Sequence, residues 1–265
     1  MKSKLHKFPH QIPHTKIFGV GKKLWCGNRL AIIAGSGAED LIFTKGFNNK
    51  EVKTKYGSVA LKIGRVEGRE IVYLNRHGAG YNAPHAINYL ANMQALREIG
   101  VTKIIASVAV GSMTKKMKPG EFVILSDFID FTKSRQEYFN PSEFTDVTCP
   151  YHEGLRKALQ KSARKMKIKI HPSAIYVCTE GPRFETKAEI KMYQRAGGDV
   201  VGMTNVPEVV LAMEAEIPYA AIGVVTNYAA GISPKKISTE EVMETMRIRN
   251  KALSALLLQT LRDLP

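Results

Sequence analysis

The chain contains few cysteines and no long apolar run. Its three cysteines, at positions 26, 149 and 178, are scattered and lack CxxC spacing, which argues against a disulfide framework and against a zinc site. Apolar stretches such as residues 104–110 are far shorter than the roughly 20 residues of a membrane-spanning helix. The first residues carry lysines and prolines but no apolar segment like that of a secretory signal. These absences predict a cytoplasmic protein with no metal and no membrane partner.

Acidic residues are also scarce, with 24 Asp and Glu against 39 Lys and Arg and a formal net charge of +15. A basic balance can indicate a nucleic-acid partner, because lysine and arginine neutralise phosphates. Its distribution weakens that interpretation, since residues 1–38 hold seven basic residues and no acidic one. No zinc-finger spacing or RNA-binding signature accompanies the charge. We expect a basic surface that attracts anionic substrates, and a nucleic-acid-binding protein is the alternative.

Short β-branched segments alternate with longer helical ones, and no linker, internal repeat or low-complexity tract interrupts them. With 44% hydrophobic residues, the chain fits an α/β fold with a single domain, in which helices flank a mixed central sheet. We divide the sequence into a basic N-terminal extension, residues 1–29, and a domain, residues 30–265. The predicted strands are 30–34, 70–75, 103–110, 122–126, 174–178, 200–203 and 219–225. The predicted helices are 86–99, 151–166, 186–195, 207–215 and a long amphipathic one from residue 239 onwards.

Three segments that follow predicted strands carry groups suited to an oxyanion. In the Gly-Ser-Gly segment at residues 35–37, backbone N–H groups can converge on an anion, and Ser36 adds a hydroxyl. Arg76 offers a planar fork for two phosphate oxygens, and His77 offers a directional donor. Thr204 combines a hydroxyl with a helix N-terminus. Alone, the first segment is more typical of an ordinary turn and the second of a surface pair, but strand C-terminal ends meet in one crevice of an open α/β sheet.

Six ordered segments of residues 30–262 resemble the trimeric-type purine nucleoside phosphorylases and methylthioadenosine phosphorylases. They are Ala-Gly-Ser-Gly at 34–37, Asn-Arg-His-Gly at 75–78, Val-Ala-Val-Gly-Ser at 108–112, Thr-Glu-Gly-Pro-Arg-Phe-Glu at 179–185, Met-Thr-Asn-Val-Pro-Glu at 203–208 and Val-Thr-Asn at 225–227. The resemblance implies the nucleoside phosphorylase fold and a reaction in which inorganic phosphate, as co-substrate, attacks C1′ of a purine nucleoside and releases the base. The other product is α-ribose-1-phosphate. No protein nucleophile and no further cofactor are needed.

The resemblance also implies roles for individual residues. It assigns phosphate to Ser36, Arg76, His77, Thr204 and the backbone N–H of Ala109. Val108 stands where relatives often place Asn or Thr, so a side-chain contribution to phosphate is absent there. Met203 would lie under the ribose and Phe184 on the purine face, although an ordinary core position is the alternative for both.

The base is expected to contact Glu185 and Asn227, which together with His77 are the predicted catalytic residues. A 6-oxopurine offers acceptors at N7 and O6 and a donor at N1. Asn227 can donate to N7 or O6, and Glu185 can accept from N1. Relatives that prefer 6-aminopurines typically hold Ser and Asp at these positions. The pair therefore predicts a preference for 6-oxopurines.

The 5′ substituent is left open, because the chain has no histidine after His171 and Ile-Ser-Thr stands at 237–239, where 6-oxopurine relatives place one. Inosine, guanosine and 5′-methylthioinosine are candidate substrates, and 5′-methylthioadenosine is the alternative. A nucleoside hydrolase is opposed by the oxyanion segments, which it would not need. The family is usually trimeric and sometimes hexameric, so we expect a homo-oligomer in which Phe144 or His152 of a neighbour completes the sugar site. The stripe Val242–Leu261 is expected to pack on its own subunit.

Overall fold

The computed structural model of the chain describes residues 29–38, 41–78, 80–133, 135 and 138–264. Residues 1–28 of the predicted extension lie outside the described residues, and the division at residue 29 stays a prediction. The described strands are β1 (Leu30–Ala34), β2 (Asn48–Thr54), β3 (Gly57–Val66), β4 (Arg69–Asn75), β5 (Lys103–Ser112), β6 (Phe122–Phe131), β7 (Ile170–Thr179), β8 (Val200–Gly202) and β9 (Tyr219–Tyr228). The described helices are α1 (Tyr89–Glu98), α2 (Glu153–Lys165), α3 (Lys187–Arg195), α4 (Asn205–Glu214) and α5 (Thr239–Asp263).

The strands form one mixed sheet in the order β2-β3-β4-β1-β5-β8-β7-β6-β9, and β9 also pairs with β5. The second pairing of β9 closes β5, β8, β7, β6 and β9 into a ring, whereas β1, β4, β3 and β2 extend from β5 as an open sheet. The strands β4, β1, β5 and β9 run parallel, and β8 runs antiparallel to β5. The predicted α/β class with a mixed central sheet is confirmed.

Both faces of the central strands are buried, which explains their nearly unbroken apolar sequences. Ala31 and Ile33 face one hydrophobic cluster, which includes residues of α1 and α4. Leu30, Ile32 and Ala34 face the other cluster, which includes residues of α2 and α5. In α5, the predicted stripe packs on its own chain through the buried side chains Met246, Leu253, Leu256, Leu257 and Leu261.

Most predicted elements are present, with shifted ends that have local causes. Helix α1 begins later than expected because Pro84–Ala86 form a separate 3-10 turn and the Asn88 side chain caps the helix at the N–H of Ala91. In α4, Val206 has a non-helical φ of −111° and ψ of 130°, so regular helix begins at Pro207, as predicted. The hairpin of β2 and β3 was not predicted. No helix among the described residues is long and apolar enough to cross a bilayer.

Candidate active site

A cavity of about 260 Å³ lies where the ends of several strands converge. It is lined by all the residues predicted for the site, namely Ser36, Arg76, His77, Ala109, Phe184, Glu185, Met203, Thr204 and Asn227. The Phe184 side chain is 37% exposed and Met203 is not among the buried residues of the core, so the core alternative is wrong for both. The sequence therefore located the cavity, and the role of each residue stays a prediction.

The middle of β5 forms one wall of the cavity through Ala109, Val110 and Gly111. On one edge, β5 pairs with β1 up to Ala106 and with β8 only from Gly111 onwards, so residues 107–110 have no described strand partner there. The carbonyl of Ser107 points into this gap, where it accepts a hydrogen bond from Arg76. Because the backbone groups of alternate residues point to the same edge of a strand, the N–H of Ala109 points there too.

The three oxyanion segments meet in one cavity, but the third reaches it from a strand direction that was not expected. The segments after β1 and β4 follow the C-terminal ends of two parallel strands, so they lie at the same end of the sheet, as predicted. Strand β8 instead runs antiparallel to β5, with Val201 opposite Gly111, so the chain after Gly202 returns towards Ala109. This return brings Met203 and Thr204 beside the gap in β5.

Arg76 is held in the wall of the cavity with its side chain fully buried. Its Nε and Nη2 atoms donate to the two carboxylate oxygens of Glu208 at 2.6 and 2.8 Å. Burial alone would lower the pKa of Arg76, but the charge and hydrogen bonds of Glu208 outweigh it and raise that pKa, so the guanidinium stays charged. A Cβ atom at Gly35 would lie 2.6 Å from Nη1, so glycine is required for this close approach.

His77 and Ser36 lie together beside Arg76. His77 Nδ1 is 2.8 Å from the carbonyl oxygen of Asn82, which can only accept, so Nδ1 carries a proton. Nε2 lies 3.3 Å from the Ser36 hydroxyl. Tyr81, which the sequence did not single out, stacks on the His77 ring at 4.5 Å and places its hydroxyl 2.6 Å from Ser36 Oγ. The imidazole is thus oriented from two sides.

Thr204 occupies the N-cap position of α4, but its side chain makes no capping hydrogen bond. The N–H groups of Thr204 and Asn205 instead donate to the Tyr176 hydroxyl, at 3.1 and 3.4 Å. Gly202 leaves room for that hydroxyl, because a Cβ atom there would lie 2.6 Å from it. The hydroxyl of Thr204 is therefore not engaged in starting the helix, and Thr204 is one of the residues that line the cavity.

Glu185 presents a buried carboxylate, 8% exposed, at another wall of the cavity. Burial raises its pKa because the charged form loses water, and the hydrogen bond from Thr179 Oγ1 to Glu185 Oε1, at 2.7 Å, partly opposes the rise. Thr186, the next residue, caps α3 in a capping box with Glu189. The helix start thereby sets where the backbone of Glu185 lies.

Asn227 is buried, and its amide orientation is set by neighbouring groups. Thr226 Oγ1 donates to Asn227 Oδ1 at 2.8 Å, and Nδ2 donates to the carbonyl of Tyr228 at 3.0 Å. Since an amide nitrogen carries two N–H bonds, the second can be offered to a ligand. Thr226 also lines the cavity, and its position in the Val-Thr-Asn segment was the signal available for it.

Other lining residues could not be identified from the sequence. Thr239 and Val242 line the cavity from the start of α5, and only Thr239 belongs to the 237–239 segment considered for the 5′ position. Phe144 and His152 do not line the cavity of the single chain. The Phe144 side chain is fully exposed, and His152 caps α2 by accepting from the N–H of Leu155.

Comparison with known proteins assigns the family. The sequence model of the family described as "Phosphorylase superfamily" matches residues 29–262. The chain belongs to this superfamily. It is 47% identical to the 6-oxopurine nucleoside phosphorylase of Pyrococcus furiosus over 248 residues. The alignment covers 89% of this chain and 93% of the relative. A "Probable S-methyl-5'-thioinosine phosphorylase" of Methanothermobacter thermautotrophicus is 42% identical over 240 residues, 89% of this chain and 84% of the relative.

Among solved structures, this phosphorylase-superfamily chain resembles the methylthioadenosine phosphorylase from Schistosoma mansoni in complex with adenine. The TM-score is 0.84 at 31% identity, covering 88% of this chain and 90% of the other. The family predicted from the six segments is therefore confirmed, and it extends over nearly the whole described domain.

Proposed function

We propose that the protein catalyses phosphorolysis of purine nucleosides and prefers 6-oxopurines, as in inosine and guanosine. The observation that carries this proposal is the presence in one cavity of a buried carboxylate, Glu185, and an amide of set orientation, Asn227. The relative from Pyrococcus furiosus carries the name 6-oxopurine nucleoside phosphorylase, in agreement with the activity predicted from the sequence.

Phosphate would bind between Ser36, Arg76, His77, Thr204 and the N–H of Ala109. Bound there as a dianion, it attacks C1′ while the bond to the purine breaks, and its charge stabilises the cationic ribosyl ring of the transition state. The protein contributes mainly orientation, because two reactants held side by side no longer need to meet in solution. Met203, in the returning chain after β8, would support the ribose.

The purine would lie against Phe184 with its N1 side towards Glu185 and its N7 side towards Asn227. The second N–H of Asn227 donates to N7 or O6 as negative charge accumulates on the leaving base. Glu185 accepts from N1 of a 6-oxopurine. An adenine would turn the N1 lone pair towards the carboxylate, and an unpaired buried polar group costs about 1–3 kcal/mol or more when it is charged.

The test is a panel of inosine, guanosine, adenosine, 5′-methylthioadenosine and 5′-methylthioinosine, each measured with and without phosphate. We expect phosphate-dependent release of hypoxanthine and guanine. Release without phosphate would indicate a hydrolase, and equal kcat/KM values for adenosine and inosine would contradict the base preference.

The Asn227→Asp variant tests the base assignment. Aspartate can accept a hydrogen bond from a 6-amino group but offers no N–H to a 6-oxopurine. We expect the ratio of kcat/KM for inosine over adenosine to fall by about tenfold or more. A variant that keeps the wild-type ratio would remove Asn227 from the base site.

A 5′-methylthio nucleoside is the second candidate substrate. Val242 lines the cavity from α5, and no histidine follows His171 in the chain to hold a 5′-hydroxyl. An apolar valine suits a methylthio group better than a hydroxyl. Rejection of 5′-methylthioinosine in a side-by-side assay with inosine would exclude this substrate, and 5′-methylthioadenosine in the same panel tests the 6-amino alternative.

The active form is proposed to be a homo-oligomer, a trimer or hexamer, in which Phe144 or His152 of a neighbouring subunit completes the sugar site. In support, the Phe144 side chain is fully exposed in the single chain. Activity per subunit should fall when the oligomer is diluted to monomers. Unchanged activity in a monomer, verified by sedimentation, would rule out a shared site.

A further inference from the structure

Behind Arg76, on the side away from the cavity, lies a chain of buried polar side chains. The Tyr219 hydroxyl donates to Glu208 Oε1 at 2.6 Å, and Asn205 Nδ2 donates to the same hydroxyl at 2.6 Å. Tyr151 in turn donates to Asn205 Oδ1. Glu208, Asn205, Tyr151 and Tyr219 are each at most 3% exposed. None of these four lines the cavity, so no direct contact with substrate explains them.

The hydrogen bonds leave the guanidinium of Arg76 little freedom. Three of its five N–H groups are used, two by Glu208 and one by the Ser107 carbonyl in the gap of β5. The other two are on the terminal nitrogens Nη1 and Nη2. A planar guanidinium that donates two parallel hydrogen bonds to both oxygens of a carboxylate cannot rotate without breaking both bonds.

The negative charge of Glu208 has a second effect, which opposes the binding of phosphate by Arg76. The buried carboxylate balances the buried guanidinium, so the pair together carries little net charge. If charge alone mattered, Glu208 would weaken the attraction of Arg76 for a phosphate dianion. Glu208 therefore aids phosphate binding by placing the remaining N–H groups, and not by adding to the positive charge of the site.

We propose that Glu208 and Tyr219 are positioning residues for phosphate. Glu208 sets the direction of the Arg76 guanidinium, and Tyr219 sets the direction of the Glu208 carboxylate. The proposal rests on the proposed function in taking phosphate as the ligand of this site. It assigns a role to the Glu that ends the Met-Thr-Asn-Val-Pro-Glu segment, which the sequence left without one.

The test compares Glu208→Asp, Glu208→Gln and Tyr219→Phe. Phosphate affinity is measured by calorimetry on the protein alone, and the KM values for phosphate and inosine are measured by initial rates. Aspartate keeps the negative charge, but its carboxylate lies one methylene further from Arg76. Glutamine keeps the length of the side chain but replaces one accepting oxygen with a donating NH₂ group. We expect both to weaken phosphate binding by about tenfold, and Tyr219→Phe by about threefold, with the inosine KM changed by less than about twofold.

Ser162→Ala is the matched control for Tyr219→Phe, because it also removes a buried hydroxyl that donates to a carboxylate, Asp263, at 3.0 Å. Ser162 lies in α2, outside the cavity. We expect it to lower the Tm and leave both KM values unchanged. If the Glu208 variants do not fold, the phosphate affinity of Tyr219→Phe compared with that of Ser162→Ala still tests the proposal.

The outcomes separate the explanations. Tighter phosphate binding in Glu208→Gln with unchanged binding in Glu208→Asp would mean that charge alone acts, and would overturn the proposal. A lower Tm with unchanged phosphate binding in all three variants would mean a structural role only, and would also overturn it. If the wild type does not cleave inosine, the proposed function fails, while the calorimetric comparison still tests Glu208. A wild type that binds no phosphate overturns both.

Discussion

Asn227 can offer an N–H to a ligand because the carbonyl of Tyr228, which can only accept, determines which end of its amide is the nitrogen. The same principle applies to His77, whose Nδ1 carries a proton because its partner, the carbonyl of Asn82, can only accept. Side chains that appear ambiguous in a sequence therefore acquire a direction from partners that are close in space. Such partners set what each lining residue can do chemically.

At the scale of the residue, Glu185 should make base binding depend on pH. Its pKa is raised because burial disfavours the carboxylate, so protonation begins at a higher pH than for an exposed glutamate. A protonated Glu185 cannot accept from N1 with the same strength. We expect hypoxanthine affinity, measured by calorimetry, to fall as the pH is lowered from about 7 through the raised pKa.

The stability of the folded protein should change in the opposite sense. A raised carboxyl pKa contributes stability that is complete below the ordinary glutamate value and is lost as the pH rises through the raised value. Glu185→Gln removes this dependence, and it should bind hypoxanthine weakly and equally at every pH in this range. A wild-type affinity that does not vary with pH would contradict the assignment of Glu185 to N1.

The sequence located the lining residues through the chemistry of the three oxyanion segments and through the resemblance of six segments to a known family, but it could not show which distant side chains contact them. Glu208 follows Thr204 by only four residues, yet it contacts Arg76, which lies 132 positions earlier. Tyr81 reaches Ser36 through the turn after β4, where no local pattern predicts the direction of the side chain. Both contacts depend on how distant segments pack, which residue types alone do not determine.

At the scale of the element, two helices begin at threonines that differ in use. Thr186 accepts from the N–H of Glu189 and forms a capping box, whereas Thr204 makes no capping bond to α4. The first threonine stabilises its helix, whereas the second lines the cavity and is proposed to bind phosphate.

Alanine at each threonine should therefore give opposite results. We expect Thr186→Ala to lower the free energy of unfolding by about 1 kcal/mol, because an N–H at the helix start loses its acceptor, and to leave the phosphate KM unchanged. Thr204→Ala should change the free energy of unfolding by less than about 0.5 kcal/mol and raise the phosphate KM by about tenfold. Denaturant unfolding and initial rates measure both, and a phosphate KM that stays constant in Thr204→Ala would remove Thr204 from the phosphate site.

Elements were predictable where burial gives a clear pattern and not where it alternates weakly. Every residue of β1 is buried, and its predicted bounds agree with the structure. In β2, only Val52 is buried among exposed polar residues, so the strand has no apolar pattern and is held by pairing with β3. The strands β6 and β9 continue past their predicted ends because pairing with neighbours extends them beyond the apolar run.

At the scale of the whole molecule, the net charge of +15 should assist the capture of an anionic substrate. Added salt screens this attraction beyond about 8 Å at 0.15 M ionic strength. We expect the phosphate KM to rise by about threefold between low salt and 0.2 M KCl. The inosine KM provides the internal control, because inosine is uncharged. Equal changes in the two KM values would indicate a general effect of salt on the enzyme rather than long-range attraction.

The gap beside residues 107–110 makes one backbone amide in the centre of the sheet a reporter of occupancy. On either side of the gap the ladder to β1 or β8 protects the amides on this edge of β5, and exchange of their hydrogens with solvent requires the strands to separate. The amide of Ala109 faces the cavity instead, so deuterium can replace its hydrogen without any unfolding. A bound oxyanion would close that route, and filling of the site could be followed at a single main-chain position deep within an otherwise slowly exchanging strand.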